Sequence, residues 1–212
     1  MRTLGLSILL LTAAAATSSA QQWEVGGIGG GGFLSNVAVA GTAGSATAGF
    51  QTGAAFGAFF GNNLNGHIGG ELRYAYLQSN LQLSSGGSSV SFSGVAHVVH
   101  YDLILRTSPR NSRVQFFAAI GGGMKIFRGT GAEAAYQPLS QYGYFTKTQA
   151  LKPMASVGGG VKYFVTRRVC LRTEFRDYIT AFPKEIIAPA PGAKFGSILQ
   201  DFVPMVGLSY EF

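Results

Sequence analysis

Ionised side chains are scarce in this sequence. Asp, Glu, Lys and Arg make up 12% of its 212 residues, about half the share of an ordinary soluble domain. A water-facing exterior needs more charge than that. Long apolar runs are missing too: hydrophobic residues reach 47%, yet past the N-terminal segment no stretch approaches the roughly 18 consecutive apolar residues of a membrane helix. Cys170 is the only cysteine, which excludes an intramolecular disulfide and a cysteine-based metal centre; a free, buried thiol is expected. His97 and His100 lie three apart, on opposite faces of an extended chain, and so cannot chelate one ion together. No metal and no cofactor is expected. The formal net charge is +7, but the basic residues are scattered rather than clustered, so nucleic acid is not an expected partner.

The chain is instead rich in glycine (31 residues) and in Phe and Tyr (16 and 9). Its start reads as a secretory signal peptide over residues 1–20. Arg2 supplies the positive end, residues 4–16 the apolar segment, and Ser18-Ser19-Ala20 the small residues of a cleavage site. One domain, residues 21–212, is expected to follow.

Period-two alternation runs through that domain. Trp23, Val25, Gly27, Gly29 and Phe33 share one parity, and Glu24, Gly26, Ile28 and Gly30 the other. Phe50, Thr52, Ala54, Phe56, Ala58 and Phe60 form a second apolar series; Ile68, Leu72, Tyr74 and Tyr76 oppose Glu71 and Arg73. Val95, Val99, Tyr101, Leu103 and Leu105 oppose His100 and Asp102, and Phe116, Ile120, Met124 and Ile126 oppose Gly121, Gly123 and Lys125. Val157, Val161 and Tyr163 oppose Gly158, Gly160 and Lys162; Leu171, Thr173 and Phe175 oppose Arg172, Glu174 and Arg176. The series ends with Ile198, Phe202, Val206, Leu208, Tyr210 and Phe212, opposed by Asp201, Met205, Gly207, Ser209 and Glu211. About eight strands result.

Energetics decides which face points where. The face opposite the aromatics mixes small residues with charges of both signs, which suits a cramped lumen, whereas a continuous aromatic and aliphatic face suits lipid. Short polar turns at residues 61–66, 107–113 and 166–168 alternate with longer segments at 35–46, 79–89, 129–149 and 183–196. That rhythm, and strands of about ten residues, predict an all-β, eight-stranded antiparallel up-and-down transmembrane β-barrel. Closure removes sheet edges that lipid would not tolerate.

The chain resembles the small outer-membrane β-barrel group that includes the OmpA transmembrane domain and OmpX-like proteins. The likeness rests on residues 116–123 (Phe-Phe-Ala-Ala-Ile-Gly-Gly-Gly), 171–178 (Leu-Arg-Thr-Glu-Phe-Arg-Asp-Tyr) and 206–212 (Val-Gly-Leu-Ser-Tyr-Glu-Phe). It implies a bacterial outer membrane as location. Val206, Leu208, Tyr210 and Phe212 look like the C-terminal signal that the barrel-assembly machinery reads. The expected partners are outer-membrane lipids, lipopolysaccharide included, and a monomer is expected. Architecture follows from the likeness more firmly than role does.

Candidate functional residues fall into two groups. The first is a lumen ion-pair network of Glu71, Arg73, Lys162, Arg172, Glu174 and Arg176, with Glu24, His100, Asp102 and Lys125 as additions. Eight strands leave an interior just wide enough to be filled by side chains, so a satisfied polar plug is expected over a small gated pore. The second is the set of loop aromatics Tyr136, Tyr142, Tyr144 and Phe145, able either to contact an extracellular ligand or to pack on the rim. His100 and Asp102 share a face as a base and its orienting carboxylate would, but no serine is identifiable beside them, and a lumen hydrogen bond is the expectation. No catalytic residue is expected. The leading reading is a non-enzymatic envelope or surface-interaction protein; a lipid A-modifying enzyme and a soluble lipid-binding barrel are the alternatives.

Overall fold

Strict alternation of bulky apolar with small or polar residues leaves extended chain as the conformation that separates the two sets. The computed structural model describes residues 22–107, 112–129 and 137–212; the expected signal peptide and Tyr136 lie outside them. The strands of the first half are β1 (Gln22–Leu34), β2 (Asn36–Gly41), β3 (Gly44–Phe50), β4 (Gly53–Asn63), β5 (Ile68–Gln78), β6 (Leu81–Ser85), β7 (Ser88–Phe92) and β8 (Gly94–Arg106). Those of the second are β9 (Val114–Gly129), β10 (Gly143–Phe145), β11 (Gln149–Phe164), β12 (Val169–Ala181), β13 (Ile187–Pro189), β14 (Lys194–Phe195) and β15 (Ile198–Glu211).

Eight of these strands close into an antiparallel barrel in the order β1-β15-β12-β11-β9-β8-β5-β4, with β4 returning to β1. The first and last strands meet at the seam, where Trp23 N donates to Phe212 O (3.0 Å) and Phe212 N to Trp23 O (2.9 Å). Sidedness is unambiguous. Leu72, Phe175 and Val206 are 52, 48 and 54% exposed, while Arg172 and Glu174 are 1 and 6% exposed. Apolar side chains clothe the outside and ionised ones line the inside, the reverse of a water-soluble protein.

The end that carries the seam has tight turns. At residues 64–67, Asn65 Oδ1 accepts from the His67 and Ile68 amides (2.9 and 2.8 Å). At 165–168, Thr166 Oγ1 accepts from those of Arg168 and Val169 (3.2 and 2.9 Å). Both are the local side-chain capture that Asn and Thr favour.

At the opposite end the structure departs from the sequence reading. Residues 35–46, 79–89 and 183–196 are not irregular loops. They build a five-stranded sheet, β14-β2-β3-β6-β7, and β13 pairs with β10 in a second small sheet. Gly86 and Gly87, at φ +56° and +82°, make the two-residue turn between β6 and β7, a conformation in which a side chain would be strained. Phe50, read as the start of the second outward series, is buried instead: the chain breaks at residues 51–52, and its ring stacks on Phe127 at 5.4 Å. Phe182, Phe195, Phe145, Ile186, Ile187, Leu81 and Leu83 join it in one apolar cluster that caps the barrel.

Candidate functional site

The lumen begins with strand register. On β5 the inward positions are Glu71 and Arg73; on β12 they are Arg172, Glu174 and Arg176; β8 contributes His100 and Asp102. In the ring, β5 and β12 stand four places apart, that is, diametrically opposite. Their side chains meet across the full bore. Arg73 pairs with Glu174 through both terminal nitrogens, the Nη2–Oε2 distance being 2.9 Å. Arg172 Nη1 lies 2.6 Å from Glu71 Oε2, and its Nε 2.8 Å from Glu174 Oε2. Arg73 Nη2 also reaches Glu71 Oε1 at 2.6 Å. Arg176 Nη1 lies 2.6 Å from Asp102 Oδ2, whose other oxygen is 3.0 Å from His100 Nδ1. Below this cluster Lys162 pairs with Glu24, and above it Lys125 with Asp201.

These residues are all nearly or fully buried. Such burial costs several kcal/mol per ion unless opposite charge and hydrogen bonds compensate. In the cluster and its two flanking pairs the charges match, five against five: Glu24, Glu71, Asp102, Glu174 and Asp201 face Arg73, Lys125, Lys162, Arg172 and Arg176. Aromatic faces complete the packing. Arg172 is sandwiched between Phe59 and Phe117, each ring centre 4.4 Å from its guanidinium carbon, and Lys125 Nζ stands 4.6 Å over Phe127.

Glycine makes room for this. Gly121, Gly123, Gly158 and Gly160 face inward beside the cluster. A methyl group on Gly158 would fall 2.7 Å from Arg176 Cδ, and one on Gly160 2.8 Å from Glu174 Cα. The glycine runs therefore do more than let the wall curve; they leave space for long ionised side chains.

The structure thus joins five of the six residues singled out as a lumen network, Glu71, Arg73, Arg172, Glu174 and Arg176, with His100 and Asp102; the sixth, Lys162, pairs with Glu24 apart from them, and Lys125 pairs with Asp201. Asp201, Phe59 and Phe117 were missed as members, although their parity was the available signal. The loop aromatics divide. Tyr142 and Phe145 are buried, so neither is displayed for a ligand; Tyr144 alone of the described three is exposed. Phe145 packs on Phe92 at 5.0 Å because the capping sheets need apolar filling. His97 faces outward with no break in the strand, its Nδ1 2.8 Å from Tyr74 Oη and its ring edge-on to Tyr76. Val206, Leu208, Tyr210 and Phe212 also face outward, Tyr210 stacked on Phe212. At the turn end a hollow of about 820 Å³ is lined by Arg113, Thr166, Arg167 and Glu211 among others.

The sequence matches no protein-family model and no curated protein. Solved structures do match. Neisserial surface protein A superposes with a TM-score of 0.52 at 12% identity, covering 92% of this chain and 98% of that one. The outer membrane protein AlkL, solved in DMPC lipid bilayers, gives 0.55 at 12% identity, with 90% of each chain covered. The fold is that of the small outer-membrane β-barrels. The N-terminal β-barrel domain of Pseudomonas aeruginosa OprF is a further match, at TM-score 0.48 and 12% identity over 90% of this chain and 97% of that one. In barrels of this fold an apolar outer wall is the surface presented to lipid.

Proposed function

We propose that the chain is an integral protein of a bacterial outer membrane, non-enzymatic and monomeric, that contributes to envelope structure or surface interaction through its capped end. The observation that carries this reading is the inverted sidedness of a closed barrel whose bore is filled. The ion cluster closes the middle and the apolar cap closes one end, so the barrel is a scaffold and not a channel.

Charge distribution supports a lipid setting. Six of the nine acidic residues (Glu24, Glu71, Asp102, Glu174, Asp201 and Glu211) are turned inward. The basic excess is left at the two rims, with Arg113, Arg167 and Arg168 at the turn end and Arg128, Lys147, Lys184 and Lys194 at the capped end. Cationic rims suit anionic headgroups, those of lipopolysaccharide included. The outward series Val206, Leu208, Tyr210 and Phe212 is the segment that the barrel-assembly machinery would read, and Tyr144 is the candidate contact on the capped surface.

Heat-modifiable migration tests the reading. Membrane fractions containing the protein should require detergent for extraction, and the unboiled and boiled forms should migrate differently in a gel. Reconstitution in a planar bilayer should give no resolved conductance steps. Recovery as a detergent-free soluble protein would overturn the proposal, and regular conductance steps would overturn the closed scaffold.

A further inference from the structure

Beside the ion cluster, five buried side chains end in polar atoms that have no protein partner among the described residues: His100 Nε2, Ser156 Oγ, Tyr178 Oη, Thr180 Oγ1 and Asp201 Oδ1. Each of the five residues is at most 3% exposed. They are not scattered. Register sets Ser156 opposite Tyr178 and Tyr178 opposite Asp201, so three of these groups stand in one row on adjacent strands β11, β12 and β15. Thr180 is the next inward position on β12. His100 arrives from β8, its ring edge-on to that of Tyr178 with centres 5.3 Å apart. Its Nδ1 is already engaged by Asp102.

We propose that this row is an internal water site, in which ordered waters bridge His100, Ser156, Tyr178, Thr180 and Asp201 between the ion cluster and the apolar cap. A buried polar atom without a partner is costly, and five gathered around Tyr178 exceed what a fold tolerates as incidental. The ligand must both donate and accept: Asp201 Oδ1 only accepts, whereas the three hydroxyls do either. A cation is disfavoured, because Lys125 already holds Asp201 and Arg176 already holds Asp102. An apolar occupant would leave every one of the five groups unsatisfied. Water, with about three hydrogen bonds per buried molecule, meets the requirement.

Water-edited solid-state NMR on the full chain reconstituted in lipid tests this. Magnetisation from water should reach the His100 and Tyr178 ring carbons well before the rings of Phe127 and Phe182 in the cap. Simultaneous arrival, or none at His100 and Tyr178, would overturn the site. The Tyr178→Phe variant supplies a second readout. It should lower transfer to His100 several-fold and leave the unfolding midpoint unchanged or lower. Undiminished transfer to His100, or a higher midpoint from shedding an unpaired hydroxyl in a dry layer, would each refute the bridging row.

Discussion

Arg73 and Glu174 belong to strands on opposite sides of the barrel, and their guanidinium and carboxylate meet in the middle of the bore. The pair therefore ties the two half-circumferences together. Its neighbours Glu71 and Arg172 repeat the tie one step away.

Removing one partner should expose how much depends on these ties. Glu71→Gln leaves Arg73, Arg172 and Arg176 with one carboxylate fewer in a site that solvent does not reach. The expected loss is about 3–5 kcal/mol of unfolding free energy, read from urea titrations of the refolded protein in micelles. The exchange Glu24→Lys with Lys162→Glu, which keeps the pair, should recover most of the loss caused by either single change.

The inward glycines give a second test. Gly160→Ala places a methyl against Glu174 and the neighbouring strand, and should cost about 1–3 kcal/mol as an overpacked interior does. At Gly27 a methyl would meet nothing within 4 Å, so alanine should be accepted there with little change. Equal effects at the two sites in refolding yield and unfolding midpoint would contradict the space-making role.

Sidedness predicts the response to new charge. Val99→Arg, on the outer wall at the middle of β8, should destabilise the barrel in lipid vesicles by about 2–4 kcal/mol. Arg128, outward at the capped end of β9, should tolerate exchange for Lys with no measurable loss.

The capped end has a pH-dependent clasp. Lys152 Nζ lies 2.6 Å from Glu185 Oε1, and this hydrogen bond holds the Glu185 carboxyl below its ordinary range. A depressed folded value means that the contribution is present above the unfolded carboxylate pKa and is lost as pH falls through the folded one. Glu185 is half exposed, so the effect is small. The protection factor of the Thr146 amide, whose N–H donates to Ile186 O, measured against the intrinsic exchange rate at each pH, should fall on acidification in the native chain and less so in Glu185→Gln.

Barrel strands were legible in the sequence because each inward position sits between two outward ones, so parity separated Glu71 and Arg73 from Leu72 without any knowledge of partners. The partners themselves were not legible: that Arg73 would find Glu174 depends on β5 and β12 being opposite in the ring, which is a property of closure and not of either segment. The capped end was hidden for a different reason. Residues 36–50 and 81–92 consist mostly of Ala, Ser, Gly and Val without charge, a composition that reads equally as loop or strand. Phe50 kept the parity of Phe56, and only the break at residues 51–52 turns it inward. Asp201 was placed on the inward face but not in the network, because its lysine, Lys125, lies on a strand that does not adjoin its own.

The seam between Trp23 and Phe212 joins segments separated by nearly the entire chain. Contacts so distant in sequence are slow to form, because a long loop must be closed first. Until β15 docks on β1, both strands present bare amide edges that hydrocarbon cannot satisfy. Completion of the cylinder is consequently a late, all-or-nothing event, with the docking of β15 as its latch.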